Sequence, residues 1–350
     1  MRQMPADDRC WLDQAWKAGK EDMGTERKLK VNDFFCGCGG MGIAVRDAGF
    51  EIAGAWDFDK YAVQTYRENV WPGVEQRDIK ELAYKDIPQA DVWAFGFPCQ
   101  DLSVAGKRRG MRLECLGCGL ELAVSPEGYE KCVCPGCGGG SFRAASRSGM
   151  FFEMMRLLEE TGQEAPGNLP AVIIAENVKG LRPYLPVLEQ EYGRLGYTAH
   201  VKLFNSKFWG VAQNRERYAV VGTRDGLGLE FSFPEECRGR VPRLSSQLEK
   251  EVDGKYYLPE WKQEAIIAQA AERVLLKNCH ACIAPDHVTK RQCGPRARAE
   301  EEPMFTLTVR DLQGVIIRED TETDVDVRIS GCDRGTDNSC GGEEGKTPGL

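Results

Sequence analysis

The chain has 350 residues, of which 42% are hydrophobic and 29% charged, and its formal net charge is −8. This length provides for one large domain with a smaller module, and the charge excludes a uniformly basic surface while leaving room for local basic patches that bind nucleic acid. No apolar run approaches the roughly 18 residues of a membrane span and the polar N-terminus excludes a signal peptide, so we expect a cytoplasmic protein whose 15 cysteines serve metals or catalysis rather than disulfides.

Short apolar strands alternate with helical stretches from Leu29 onward. The helical patterns are YAVQTYRENV, MFFEMMRLLEE and YLPVLEQEYGRLG. The strand patterns are LKVNDFF, FEIAGAW, ADVWAFGF, LPAVIIAENV, YTAHVKLF and RYAVVGT. This alternation predicts an α/β fold with a doubly wound, mostly parallel sheet, in which ligands bind at the carboxyl ends of the strands.

The same patterns divide the chain into segments. We expect a polar N-terminal extension (1–28), an α/β domain (29–224) with a Cys- and Gly-rich insert (112–147), a small irregular domain (225–315) and an acidic, Gly-rich, disordered tail (316–350). Within the small domain, the stretch FTLTVRDLQGV (305–315) is expected to lead the chain back to the sheet.

The first candidate site is the turn DFFCGCGGMG (33–42) after the first strand. Its glycines allow the backbone to approach a cofactor closely just before a helix begins. Asp57 ends the next strand about twenty residues later, where an acid can hold ribose hydroxyls. The pair indicates an adenosine-containing cofactor, although the turn alone is equally typical of a structural turn.

Three further motifs also end or begin strands. Cys99 follows Pro98 at the end of ADVWAFGF, in a polar loop with basic residues downstream that favours a thiolate nucleophile; an inert buried cysteine is the alternative. Glu176 in AENVKG faces the same crevice or, alternatively, only favours a helix N-terminus. Arg215 and Arg217 in QNRERYAVVGT alternate on one face, pointing into the cleft or simply to solvent.

In this order, the Gly-rich turn, Pro98-Cys99-Gln100, Glu176-Asn177-Val178 and Gln213-x-Arg215-x-Arg217 resemble the cytosine-C5 DNA methyltransferases of bacteria and phages. The resemblance covers residues 29–224 with one insertion. It implies a Rossmann-like fold that uses S-adenosylmethionine (AdoMet), a target-recognition domain at 225–315, and methylation of a cytosine flipped out of double-stranded DNA.

The resemblance also implies residue roles. Cys99 attacks C6 of cytosine, Glu176 holds or protonates N3, and Arg217 contacts the base oxygen with support from Arg215. The implied AdoMet contacts are Phe35, Gly37, Gly39, Gly40, Asp57, Phe58, Asp78, Ile79 and Pro98. The implied DNA contacts are Gln100, Ser103, Lys107, Arg108 and Arg109.

The insert carries two Cys-x2-Cys pairs separated by fifteen residues, a spacing typical of structural zinc sites. We predict that Zn²⁺ is bound by Cys115, Cys118, Cys134 and Cys137, with Cys132 as an alternative to Cys134 and four free surface thiols as the other interpretation. A looser cluster, Cys279, Cys282, His287 and Cys293, is more typical of ordinary thiols than of a second zinc site.

The insert follows directly on the loop that, in the family, closes over the flipped cytosine. Two interpretations therefore stay open. The zinc-binding insert is either a rigid spacer tolerated in a loop, or it moves with that loop and contacts DNA, with Lys107, Arg108, Arg109 and Arg112 at the phosphates.

The family's closing Gly-Asn motif is not found after Val315, so we expect either a truncated or altered end or a second chain that supplies the motif. A restriction endonuclease system is the expected functional partner. Two alternatives remain: the tRNA cytosine-5 branch, whose Cys-Phe-Thr signature is not found, and a nucleic-acid-binding protein with a decayed core.

Overall fold

The computed structural model describes residues 28–102, 110–125, 133–236, 238, 241–242, 244–249, 251–254, 257, 259–261, 279–284, 312–318 and 325–329. The chain divides into two compact units. The first comprises Met1–Asn205 and Glu216–Cys237, and the second Ser206–Arg215 and Arg238–Leu350. The predicted N-terminal extension, apart from Lys28, lies outside the described residues.

The main sheet of the first unit has seven strands in the order β3-β2-β1-β4-β8-β10-β9. Its strands are β1 (Lys30–Phe34), β2 (Glu51–Asp57), β3 (Glu75–Gln76), β4 (Val92–Phe95), β8 (Val172–Val178), β9 (Tyr197–Asn205) and β10 (Glu216–Arg224). The helices are α1 (Gly40–Asp47), α2 (Lys60–Asn69), α3 (Met150–Glu164) and α4 (Leu185–Arg194). All six predicted strands and all three predicted helices are present.

Strands β3, β2, β1, β4 and β8 run parallel, whereas β10 is antiparallel to both β8 and β9. The fold prediction of a mostly parallel, doubly wound α/β sheet is confirmed. From β1 the chain goes to β2 on one side and later to β4 on the other. The strand order therefore reverses between β1 and β4, which is where open α/β sheets bind their ligands.

Alternate residues of the strands feed two hydrophobic cores, one on each face of the sheet. In β4, Val92 and Ala94 belong to the core that includes Val63 and Tyr66 of α2. Trp93 and Phe95 belong to the other core, which contains buried residues of α3 and α4. This period of two follows from the pleat of the strand, in which successive side chains point to opposite faces of the sheet.

The insert forms a three-stranded antiparallel sheet of β5 (Arg112–Cys115), β6 (Glu121–Ala123) and β7 (Phe142–Ala144), in the order β6-β5-β7. Met111, Leu113, Val124 and Ala144 are buried and belong to the same core as α3. One face of the insert is therefore part of the packed interior of the first unit.

The second unit contains an antiparallel sheet of β11 (Cys279–Ala284), β12 (Leu312–Arg318) and β13 (Val325–Ile329), with β12 in the middle. Two expectations need correction. Residues 312–315 pair with β11 and not with the main sheet, and the predicted disordered tail contains strand residues 316–318 and 325–329. The sequence VDVRI alternates apolar and polar residues, which is a strand pattern that its acidic surroundings concealed.

Within the part of the chain that the structure describes, no helix is both long enough and apolar enough to cross a membrane.

Candidate active site

Four parallel strands end in one register row. Phe34 is paired with Trp56 and with Phe95, and Phe95 is paired with Ala175. The next residue of each strand therefore lies in a second row, which reads Asp57, Phe35, Gly96, Glu176. With strands about 4.8 Å apart, this row spans roughly 14 Å, and it brings the predicted cofactor turn, nucleophile turn and acidic residue to one edge.

The Gly-rich turn has an unusual backbone. Among the described residues, Phe35 is the only non-glycine with a positive φ, 53°, and Gly37 and Gly39 follow with φ of 53° and 104°. A side chain in this region is strained, and such strain is typical of functional sites. The space in front of Gly37 is open: a Cβ there would have no neighbour within 4 Å. The turn thus presents bare backbone to the edge of the sheet.

Asp57 holds this turn in place. Its Oδ2 accepts a 2.9 Å hydrogen bond from the Gly37 amide, and its Oδ1 accepts another from Asp59. The residue is 9% exposed. These hydrogen bonds give Asp57 a role in holding the loop. Each carboxylate oxygen also has a second lone pair that can accept from a hydroxyl group, so the predicted ribose contact is compatible with this role.

Asp33 and Tyr66 form a buried hydrogen-bonded pair close to the turn, and the sequence analysis did not predict it. The Tyr66 hydroxyl donates a 3.0 Å hydrogen bond to Oδ2 of Asp33, whereas Oδ1 has no hydrogen-bond partner. Burial raises the pKa of Asp33 to about 7, against the lowering effect of the Tyr66 hydrogen bond and with a smaller raising effect from Asp57. A Cβ on Gly42 would overlap the same hydroxyl. The only signal in the sequence was an acid inside an apolar strand.

The remaining predicted AdoMet residues surround this edge in different ways. Phe58 is 68% exposed and Asp78 is exposed, with its Oδ1 accepting the Lys80 amide. Ile79, by contrast, is buried in the main core, so only its backbone is available for a contact with AdoMet. Pro98 is half-buried.

The nucleophile turn begins after β4. Cys99 is half-buried, Gln100 is exposed, and the Cys99 carbonyl accepts a 2.9 Å hydrogen bond from the Leu102 amide. Asn177 ties the turn to β8, because its side-chain amide donates to the Phe97 carbonyl at 2.9 Å. The predicted DNA contacts Ser103, Lys107, Arg108 and Arg109 lie outside the described residues.

Glu176 and Arg217 form an ion pair beside that turn. Arg217 Nε lies 3.1 Å from Glu176 Oε1, and the two side chains are 20% and 37% exposed. A Cβ on Gly96 would lie 3.8 Å from the other carboxylate oxygen. The absence of a side chain at Gly96 therefore leaves this carboxylate accessible above the β4 end.

The first part of the Gln-x-Arg-x-Arg motif, from Gln213 to Arg215, belongs to the second unit. There the Ser206 hydroxyl donates to the Gln213 carbonyl at 2.7 Å, and the Ser206 amide donates to the Arg215 carbonyl at 3.1 Å. The motif is thus divided after Arg215, a division that its short spacing did not predict.

The insert brings four thiols together. The sulfur atoms of Cys115, Cys118, Cys134 and Cys137 all lie within 4.8 Å of one another, with closest pairs at 3.5 and 3.4 Å. A tetrahedral zinc with Zn–S bonds of about 2.3 Å needs sulfurs about 3.8 Å apart. Each of the two Cys-x2-Cys motifs also forms the same kind of turn, because the Gly119 amide donates to the Cys115 carbonyl and the Gly138 amide donates to the Cys134 carbonyl. Cys132 lies outside the described residues.

The two described cysteines of the second cluster form no comparable turn. Cys279 and Cys282 lie within the extended strand β11, whereas a zinc-binding pair of this spacing requires a tight turn. His287 and Cys293 lie outside the described residues.

The insert does not present Arg112 as a free cation. Arg112 pairs with Glu121, and Arg143 pairs with Glu114 at 2.8 Å, so both guanidinium groups have acidic partners. Ala144 is held from two sides, because its amide donates to Glu153 and its carbonyl accepts from Lys80. These contacts favour the rigid interpretation of the insert, and the expected contact of Arg112 with phosphate is not supported.

A groove of about 960 Å³ opens at the opposite, amino edge of the sheet, lined by Lys30, Glu51, Asp91 and Arg224 among others. None of the predicted site residues that the structure describes lines it, and the candidate site is therefore at the carboxyl edge.

Comparisons with known proteins agree with this geometry. The model of a family described as C-5 cytosine-specific DNA methylase matches residues 29–115 and 140–301. The unmatched stretch between them contains three of the four clustered cysteines. The match therefore treats the cysteine-rich part of the insert as an addition to a common core.

Three curated relatives are similar along much of this core. The orphan methyltransferase M.SPBetaI of Bacillus phage SPbeta is 30% identical over 380 residues, covering 83% of this chain and 84% of the relative. The type II methyltransferase M.FnuDI of Fusobacterium nucleatum is 26% identical, with 80% and 70% covered. The type II methyltransferase M.HhaI of Haemophilus parahaemolyticus is 28% identical, with 59% and 53% covered.

Proposed function

The chain belongs to the family of C-5 cytosine-specific DNA methylases, and we propose that Cys99 is its catalytic nucleophile. It is a DNA (cytosine-5-)-methyltransferase that depends on AdoMet. The observation that supports this assignment of roles is the register row Asp57, Phe35, Gly96 and Glu176. It holds the Asp57 carboxylate, the start of the Gly-rich turn, the start of the Cys99 turn and the Glu176 carboxylate, and Arg217 contacts Glu176 from the neighbouring strand.

The residues at the carboxyl edge fit AdoMet. The open backbone at Gly37 and Gly40 gives room for a ligand, and the free lone pairs of Asp57 suit ribose hydroxyls. Phe35 and Phe58 offer aromatic surface for an adenine ring. When bound, AdoMet supplies an electrophilic methyl group on sulfur.

The chain's own residues make cytosine reactive. C5 of cytosine is a poor nucleophile, and attack of the Cys99 thiolate on C6 forms an S–C6 bond that breaks aromaticity and makes C5 enamine-like. We assign Glu176 the role of holding a proton at N3, where electron density accumulates. After C5 has taken the methyl group, the C5 proton passes to solvent water, the N3 proton returns to Glu176, and cleavage of the S–C6 bond restores the aromatic ring and releases Cys99 as a thiolate.

Arg217 orients this machinery. Its Nε contacts one carboxylate oxygen of Glu176, its Nη1 donates to the Glu216 carbonyl at 2.8 Å, and we assign the guanidinium group the contact with the base oxygen. Arg215 supports it. Because C6 is inaccessible inside a base stack, the cytosine must be flipped out of the duplex, with Gln100, Ser103, Lys107, Arg108 and Arg109 proposed to contact DNA.

Transfer of tritiated methyl groups from AdoMet tests this function. DNA of mixed sequence should be labelled, and transfer RNA should not. Labelling of transfer RNA alone would favour the RNA branch of the family, and labelling of neither would favour a nucleic-acid-binding protein with an inactive core.

We also propose that Cys115, Cys118, Cys134 and Cys137 bind one structural Zn²⁺. The sulfur separations and the paired turns support this set of four ligands. The metal would hold together a segment with too few apolar residues to fold alone.

The relatives named above come from phages and from type II systems. We therefore propose a role in restriction-modification or in its evasion, acting on DNA in the cytoplasm. A cognate endonuclease and a second chain that carries a Gly-Asn segment stay predictions.

A further inference from the structure

Both ends of the loop that carries Cys99 are bound to one short segment, Ser146–Ser148, which follows the last strand of the insert. The Ser146 hydroxyl donates to the Gly110 carbonyl at 3.1 Å and accepts from the Arg112 amide at 2.9 Å. At the other end of the loop, the amides of Arg147 and Ser148 donate to Oδ2 of Asp101 at 2.9 and 3.3 Å. The segment therefore joins the two ends of the loop.

The contact closest to the nucleophile is made by Ser148. Its hydroxyl donates to the Pro98 carbonyl at 3.1 Å, and the residue is fully buried. The Pro98 carbonyl belongs to the peptide bond that enters Cys99. Since that peptide group is planar, a hydrogen bond to its oxygen fixes the direction in which the Cα of Cys99 leaves the strand.

Asp101 fixes the chain on the other side of Cys99. Its side chain is held by the two amides, and its own carbonyl accepts from the Gly110 amide at 3.2 Å. Cys99 thus lies between Pro98 and Asp101, which are both hydrogen-bonded to Ser148. These contacts fix the backbone from which the Cys99 side chain projects, and a misplacement of a reacting group by about 1 Å can cost on the order of 10²-fold in rate.

We propose that Ser148 and Asp101 are positioning residues for the Cys99 nucleophile. Neither side chain is assigned a contact with cofactor or base. The proposal rests on the proposed role of Cys99. It also gives the insert a place in the reaction, because the segment Ser146–Ser148 is the direct continuation of β7.

The test measures covalent adduct formation between the protein and DNA containing 5-fluorocytosine, in the presence of AdoMet. In Ser148→Ala the rate of adduct formation should fall about 10- to 100-fold, while the dissociation constants for AdoMet and DNA change less than twofold. Thr161→Val is the matched control. Thr161 is also buried on α3 and donates to a backbone carbonyl, that of Leu157, but it lies near the other end of this helix, roughly 20 Å along it from Ser148. Its loss should lower thermal stability to a similar extent and leave the adduct rate unchanged.

Asp101→Asn provides a second variant at a less buried position, and its rate of adduct formation should also fall below that of the wild-type protein. A folded Ser148→Ala or Asp101→Asn protein with the wild-type adduct rate would overturn the proposal, as would an equal fall in Thr161→Val. If the wild-type protein itself forms no adduct, the proposed function of Cys99 fails instead, so the two failures are distinguishable.

Discussion

Arg217 and Glu176 are joined across two antiparallel strands, with Nε of the arginine 3.1 Å from Oε1 of the glutamate. Glu176→Gln keeps the shape of the side chain and removes its charge and its exchangeable carboxyl proton. We expect methyl transfer to fall by about 10²- to 10⁴-fold and AdoMet binding to stay within twofold of wild type. Rate and affinity measured on the same preparation check this, and a loss confined to affinity would contradict the assignment of Glu176 to the base.

Asp57→Ala should show the reverse pattern. The substitution removes the acceptor of the Gly37 amide and the proposed ribose contact together. We expect the dissociation constant for AdoMet to rise at least about tenfold, as the loss of a buried charged acceptor predicts. Isothermal titration calorimetry measures it. Asp59→Ala is the control, because the Asp59 side chain caps α2 by accepting from the Tyr61 and Ala62 amides, whereas Asp57 accepts the Gly37 amide of the turn. Equal weakening by both variants would argue against a specific role for Asp57.

Cys99→Ala should abolish the covalent step. Fluorine at C5 blocks the elimination that releases the thiol, so wild-type protein should accumulate an adduct with 5-fluorocytosine DNA, visible by denaturing electrophoresis. The variant should form none, and its methyl transfer should fall by at least about 10³-fold. DNA with unmodified cytosine is the control. An adduct in the alanine variant would place the nucleophile elsewhere.

Cys115→Ser combined with Cys118→Ser should remove the metal. We expect a loss of about one zinc per chain, measured by atomic emission, together with a lower melting temperature. Cys38→Ser, which changes an exposed thiol outside the cluster, should leave the zinc content unchanged. Since one face of the insert is packed in the core, DNA affinity below the melting temperature should stay close to wild type. A selective loss of DNA affinity would instead support the interpretation in which the insert contacts DNA.

The buried Asp33 predicts a pH dependence of stability. Its pKa is about 7 in the folded protein and about 3.9 in an unfolded chain. Between these values the folded state binds more protons, so the free energy of unfolding should fall as pH rises from about 4 to 7, by up to about 1.4 kcal/mol per pH unit. Urea unfolding of wild type and Asp33→Asn at pH 5, 6, 7 and 8 isolates this contribution. Parallel pH profiles of the two proteins would contradict it.

Much of the site was predictable because its residues share a position in the strand pattern. Asp57, Cys99 and Glu176 each follow an apolar run, and the ends of parallel strands meet at one edge. The four clustered cysteines were predictable because metal geometry constrains their spacing.

Other features had no such signal. The contacts of Ser148 with Pro98 and of Asp101 with Arg147 join residues about fifty positions apart, and serine at a helix start is common for local reasons. The burial of Leu113 and Ala144 in the main core was also hidden, since strands of three or four residues carry too little periodicity to show which face is buried.

The pairing of Cys115 with Phe142 places the two ends of the added stretch side by side, about 5 Å apart across neighbouring strands. A hairpin of two or three residues could close that gap in place of the metal-binding lobe. The lobe beyond Cys115 can therefore change in length or sequence while β5 and β7 keep their register, provided that β6 and the buried Val124 of the same stretch keep their places against β5 and the core. We expect related enzymes to differ in this lobe and still share the same reaction centre.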